Sequence, residues 1–169
     1  MQHPVTTHIQ DSRKEIEETL KAIDDLKIPS FWFWPNIDAG ADGTSSGIRA
    51  YREYHELKHV HFFKNMSGED FLELLYHCKA LIGNSSVGIR EASFLGVPVV
   101  NIGDRQNRRQ RGQNVLDVEC ETHAISKAIQ TQITADIPKS QIYGEGHSGK
   151  KIADLLAEVK LKFHKTISY

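Results

Sequence analysis

The chain is poor in thiols, in long apolar runs and in net charge, and each shortage removes a class of function. Its two cysteines, Cys78 and Cys120, are far apart and form no CxxC pair, so a reduced, cytoplasmic chain is expected. No apolar run approaches the ~18 residues that a transmembrane helix requires. The opening MQHPVTTHIQ lacks the basic and apolar regions of a secretory signal. Lys and Arg, 21 together, nearly cancel 22 Asp and Glu, so neither nucleic acid nor a membrane surface is an expected partner. There is no G-x-S-x-G elbow of the kind a serine hydrolase uses. The tightest histidine cluster, His55, His59 and His61, has no cysteine or carboxylate grouping at ligand spacing, so no metal site is expected.

What is present is enough for one globular domain: 169 residues, 39% of them apolar. Asp11 is placed to cap a helix running to about residue 27, with Ile16, Leu20 and Ile23 on one face. Ile28-Pro29 stops that helix, and SFWFWPN reads as a buried strand ended by Pro35. DAGADGTSSG reads as loop, followed by helix over residues 46 to 56 and a second strand in HVHFFKN. Ser67 and Asp70 form a capping box for a helix striped by Phe71, Leu74, Leu75 and Cys78. KALIG and VPVVNIG supply the third and fourth strands, with a helix from Ser86 to about Leu95 between them. Helices over about 121 to 134 and 150 to 164 complete the chain, the last striped by Ile152, Leu155, Leu156, Val159 and Phe163. Alternating strands and helices, two of the strands nearly continuous apolar runs, predict an α/β fold with a doubly wound parallel sheet. Its binding site belongs at the carboxyl ends of the strands.

Three features fall at that edge. In ALIGNSSVGIREA, Ser85 and Ser86 stand where a strand turns into a helix, whose free N–H groups and partial positive charge suit a phosphate. The alternative is that a serine there only caps the helix. Glu91, farther along the same helix, is a carboxylate of the type that accepts hydrogen bonds from ribose hydroxyls in dinucleotide folds. Arg105, Arg108, Arg109 and Arg111 follow the fourth strand, where a guanidinium can fork onto a phosphate. GEGHSGKK imitates a phosphate loop, but Lys151 replaces its Ser/Thr and no strand precedes it. It reads as a glycine turn into the last helix.

The segments HPVTTH, PNIDAG, IGNSSVGIREASFLGVPVVNIGDRQ and IYGEG resemble the C-terminal half of the UDP-N-acetylglucosamine 2-epimerases, most closely the hydrolysing branch that makes N-acetylmannosamine for sialic acid synthesis. The resemblance extends over nearly the whole chain. It implies a Rossmann-like domain, residues 1–169, of a two-domain GT-B type fold that holds UDP or a UDP-sugar. By that resemblance Ser85 and Ser86 bind the diphosphate, Glu91 holds the ribose and Arg105 completes the phosphate site. Asn36 and Met66 add contacts, Met66 through its backbone at the uracil, and His3 supports catalysis at the diphosphate. No metal or redox cofactor is implied. The family's acid and base carboxylates belong to an N-terminal half absent here, so this chain alone is expected to be inactive. It is also expected to expose an apolar wall that could drive self-association. A nucleotide-sugar binding module, or half of a GT-B glycosyltransferase, shares the Glu and helix-terminus features. HPVT and PNIDAG favour the epimerase.

Overall fold

The computed structural model describes residues 1–160. Helices separate the five short strands except the last two, which follow one another directly, and every strand pairing is parallel. Strands β1 (Ser30–Phe33) and β2 (Val60–Phe63) form one ladder. Strands β3 (Leu81–Gly83), β4 (Val99–Ile102) and β5 (Val115–Val118) form a second, in the order β3-β4-β5. The expected α/β architecture is therefore present, with its sheet divided into two ladders between β1 and β3.

Helix α1 (Ser12–Leu26) buries Ile16, Leu20 and Ile23, the stripe expected from their spacing. Its start differs from expectation. A 3-10 turn over Ile9–Asp11 leads into it, the Asp11 side chain makes no capping bond, and Ser12 Oγ donates back to the Ile9 carbonyl at 2.8 Å. The helix ends with Lys27 in the left-handed region (φ 52°), its N–H returning to the Asp24 carbonyl. Helix α2 spans Ala41–Tyr54, so much of the stretch expected as loop is helical. The small residues serve packing: α1 crosses α2 so closely that a Cβ on Gly47 would lie 2.5 Å from Ile16 Cγ2. The principal core joins Ile16, Leu20, Trp32, Ile48, Val100 and Ile125.

Helix α3 (Gly68–His77) carries the expected capping box, with the Asp70 N–H donating to Ser67 Oγ at 3.1 Å and Ser67 Oγ–H to Asp70 Oδ2 at 2.6 Å. The helix expected from Ser86 to Leu95 is two pieces, α4 (Ser86–Ile89) and α5 (Glu91–Leu95), broken at Arg90. Gly96 (φ 77°) closes α5. Strand β4 is buried throughout. Strand β5 was not expected: Asp117 interrupts its short apolar pattern, and its residues are only half-buried or exposed, as suits a sheet edge. Helix α6 (Thr122–Gln132) packs Ile125, Ala128 and Ile129 onto the core. Helix α7 (Ser148–Glu158) follows the glycine turn, and Ile152, Leu155 and Leu156 on its apolar stripe are exposed. Phe163, expected on that stripe, lies outside the described residues.

Gly47→Ala should destabilise the protein by about 1–3 kcal/mol, because overpacking against Ile16 outweighs the ~1 kcal/mol gain in helix propensity. Gly149→Ala, where an added Cβ meets nothing within 4 Å, should be neutral or stabilising. Denaturant unfolding of the two variants measures the contrast, and equal midpoints would contradict the tight α1–α2 crossing.

Candidate functional site

The parallel strands deliver their carboxyl ends to one edge, where three chain segments meet at Asn84 and a fourth joins them through His3 and Arg105. This residue follows β3 and is 1% exposed. Its Oδ1 accepts the His3 N–H at 2.7 Å, and its Nδ2 donates to the His3 carbonyl at 2.8 Å. The side-chain amide thus pairs with the His3 backbone as a neighbouring strand would. His3 in turn uses Nδ1 to accept the Asn36 N–H at 3.1 Å, reaching the turn beyond β1. From beyond β4, Arg105 Nη1 (3.2 Å) and Gln106 Nε2 (2.8 Å) both donate to the Asn84 carbonyl. Arg105 Nη2 also faces Asp38 Oδ2 at 3.4 Å, in the PNIDAG turn.

His3 is buried, and burial, reinforced by Arg105 and the Met1 amine, pushes its pKa down to about 4, against an opposing pull from Asp38. The ring is therefore neutral near pH 7. Since Nδ1 accepts from Asn36, the proton resides on Nε2, which remains a hydrogen-bond donor.

Ser85 is the N-cap of α4: its Oγ accepts the Val87 N–H at 3.4 Å, and its carbonyl accepts from Gly88. The capping reading is thus met, and the turn follows directly on Asn84. Ser86 opens the helix. Glu91 opens α5, where its Oε1 accepts from Arg90 Nη2 at 3.2 Å. Its Oε2 is buried with no hydrogen-bond partner among the described residues, an orphan acceptor that a hydroxyl donor would satisfy. Met66 lies in the turn beyond β2, where its N–H bonds Asn65 Oδ1 at 2.9 Å. Among the described residues no hydrogen bond ties it to the Asn84 cluster.

The geometry therefore links His3 and Arg105 through Asn84 and Asn36 through the His3 ring, sets Ser85 and Ser86 next to Asn84 in sequence and leaves Met66 separate. Sequence reasoning missed three participants: Asn84 itself, Gln106 and Asp38. All three stood inside the recognised segments, but only contacts across the fold reveal their partners. Arg111 has a structural task. It pairs with Asp117 at 2.9 Å and donates to the carbonyls of Gln106 and Arg109, holding the loop that carries Arg105. Among the described residues no group of three or more His, Cys, Asp or Glu side chains could hold a metal ion. His59 approaches Asp24, whereas His61 packs against Phe31. None of the helices among these residues is long and apolar enough to cross a membrane.

A Rossmann-like domain with a polar cluster at the carboxyl edge of its parallel strands belongs to the class whose ligands bind at that edge. Comparison sharpens the assignment. The family model described as UDP-N-acetylglucosamine 2-epimerase matches residues 1–157, and the chain belongs to that family. It is 39% identical over 120 residues to the GDP/UDP-N,N'-diacetylbacillosamine 2-epimerase (hydrolyzing) of Campylobacter jejuni, covering 69% of this chain and 30% of that protein. It is 36% identical over 130 residues to the UDP-N-acetylglucosamine 2-epimerase of Neisseria meningitidis, covering 77% of this chain and 33% of that protein. The Methanocaldococcus jannaschii UDP-GlcNAc 2-epimerase, solved in complex with UDP-GlcNAc and UDP, shares the fold with a TM-score of 0.65 at 16% identity. That likeness covers 88% of this chain and 41% of the solved one. The chain thus spans about a third of the length of these two curated relatives.

The depressed His3 pKa sets the sign of a pH dependence. The unfolded imidazole takes up its proton near pH 6.5 and the folded one only near 4. Stability is therefore undiminished by His3 above about pH 6.5 and falls as the pH drops toward 4. NMR titration should find His3 neutral, as the Nε2–H tautomer, at pH 6. Unfolding curves should show His3→Gln flattening the acid slope. A His3 ring titrating near 6.5 would contradict the buried, neutral assignment.

Proposed function

We propose that this chain is the UDP-holding part of a UDP-N-acetylglucosamine 2-epimerase of the hydrolysing type, converting UDP-GlcNAc to N-acetylmannosamine and UDP. The observation that carries the reading is the convergence of His3 and Arg105 on Asn84, directly before the Ser85-Ser86 turn, with Asn36 bonded to the His3 ring. It gathers a fixed cation, a neutral imidazole donor and serine hydroxyls at one strand edge, a donor set suited to a diphosphate. The orphan Oε2 of Glu91 is the matching acceptor for a ribose hydroxyl. The family resemblance supports assigning the uracil to backbone groups at Met66, in the turn beyond β2. The relatives' names support both parts of the reading: one is a hydrolyzing 2-epimerase, and a second a UDP-N-acetylglucosamine 2-epimerase.

The chemistry requires inversion at C2, whose hydrogen is not acidic. A base removes that proton, the C1–O bond to the diphosphate breaks, and UDP leaves with the bonding electron pair. Water then adds across the resulting double bond to give the opposite C2 configuration. Arg105, the His3 Nε2–H and the serine turn stabilise charge growing on the departing diphosphate, and their preorganisation lowers the elimination barrier. The proton-moving carboxylates belong to a second domain in this reading, and the chain alone binds UDP without turning it over. Neither metal nor redox chemistry enters these steps.

Calorimetry with UDP should show Arg105→Ala binding at least about tenfold more weakly, a loss of roughly 1.4 kcal/mol. Uridine, lacking the diphosphate, should be insensitive to that change, whereas Glu91→Gln should weaken both ligands. Equal UDP affinity in wild type and Arg105→Ala would remove Arg105 from the phosphate site. Turnover of UDP-GlcNAc by the 169-residue chain would overturn the division of labour between two domains.

A further inference from the structure

The helical stretch that carries Ser86 and Glu91 is broken between them. Helix α4 ends at Ile89, Arg90 stands between the pieces at φ −101° and ψ −72°, and Glu91 opens α5. In an unbroken helix, five residues would turn Glu91 about 140° from Ser86. The break releases both side chains from that angle, so contacts from elsewhere in the fold have to set it. A helix end also leaves carbonyls without partners, and here they fall among the buried residues Gly88 and Ile89.

Asn114 meets both needs. It is 1% exposed and lies at the far end of the loop that carries Arg105, directly before β5. Its Nδ2 donates to the Gly88 carbonyl in α4 and to the Val97 carbonyl just past α5, both at 3.1 Å. One side-chain amide therefore spans the whole piece that Glu91 opens, with one bond ahead of the break and one beyond α5. The amide has only one workable orientation, because Oδ1 in place of Nδ2 would face two carbonyls. The Asn114 backbone is itself held: its carbonyl accepts the Val99 N–H at 2.8 Å and Gln132 Nε2 at 2.9 Å. Gly112 on the same loop presses close as well, since a Cβ there would lie 2.4 Å from Ser93 Oγ of α5 and 2.7 Å from Asn114 Oδ1.

We propose that Asn114 is the positioning residue of the nucleotide site, fixing Glu91 relative to the Ser85-Ser86 turn. It touches no ligand in this assignment and acts through the carbonyls of Gly88 and Val97. Through them it holds the orphan Glu91 Oε2, the ribose acceptor, in register with the helix start that meets the diphosphate. The same loop brings Arg105 to the Asn84 carbonyl at its start and Asn114 to α4 at its end. Cation, serine turn and ribose acceptor are thereby registered by one loop. The inference rests on the proposed UDP reading for the identity of the ligand.

Gln132 provides the control that separates positioning from stability alone. It is another buried carboxamide whose Nε2 donates to two carbonyls, those of Val99 and Asn114, but these two bonds reach neither α4 nor α5. Asn114→Ala and Gln132→Ala should each lower the melting temperature by several degrees. Calorimetry on the folded variants should show Asn114→Ala binding both UDP and uridine at least about tenfold more weakly, and Gln132→Ala within about twofold of wild type. Uridine isolates the Glu91 contact. In a Glu91→Gln background, Asn114→Ala should weaken uridine by less than about threefold, because the group it positions is already altered. Where Asn114→Ala does not fold, Asn114→Ser, which keeps one donor, takes its place in the same comparison. Wild-type uridine affinity in the folded Asn114 variant, equal losses in the Asn114 and Gln132 variants, or full additivity with Glu91→Gln would overturn the proposal. A wild-type chain that binds no UDP would instead overturn the proposed function, and the positioning role with it.

Discussion

Asn84 holding the backbone of His3 is the constraint on which the functional edge depends. Two short, buried hydrogen bonds tie the N-terminal segment to the end of β3. Leaving either buried partner unsatisfied costs about 1–3 kcal/mol. Because the clamp grips backbone rather than side chain, it fixes the direction in which the His3 ring leaves the chain. The ring then meets the Asn36 N–H, and Nε2 keeps the proton. The Asn84 carbonyl, used by neither bond, receives Arg105 and Gln106. A single residue thereby registers the N-terminal segment, the β3 turn and the β4 loop against one another.

The electrostatics follow from that registration. Arg105 faces Asp38 across 3.4 Å, and its neighbour His3 is kept neutral by burial and by the guanidinium itself. The edge is thus rich in directed donors but carries little uncompensated charge, which limits repulsion within the cluster. In the proposed reading, a diphosphate entering here would exchange the Asp38 contact of Arg105 for its own oxygens and bring the negative charge that favours an imidazole donor. In the proposed elimination the ligand's charge grows as the bond breaks. Donors already in position then act most strongly on the departing state.

The division of the sheet has the same origin as the position of the site. The N-terminal segment reaches the carboxyl edge between β1 and β3, with His3 on the polar side and Met1 on the apolar side. Polar clamp and apolar cavity are consecutive along three residues.

Residue order by itself determined the alternation of helices and strands, because the stripe of α1, the capping box of α3 and the buried run of β4 are local patterns with local causes. It also marked IGNSS and PNIDAG as segments of the candidate site. It misread DAGADGTSSG as loop, since small residues look alike whether they make a turn or permit a close helix crossing. It passed over β5, where Asp117 and partial exposure erase the apolar signal of an edge strand. Only the tertiary structure decided that Asn84 clamps His3, that Arg105 shares its carbonyl with Gln106 and faces Asp38, and that Arg111 braces a loop. It alone revealed the apolar cavity between the two ladders. Apart from the local Arg111 brace, those pairings join residues about 20 to 80 positions apart, and no local pattern encodes a partner that chain folding alone brings within reach.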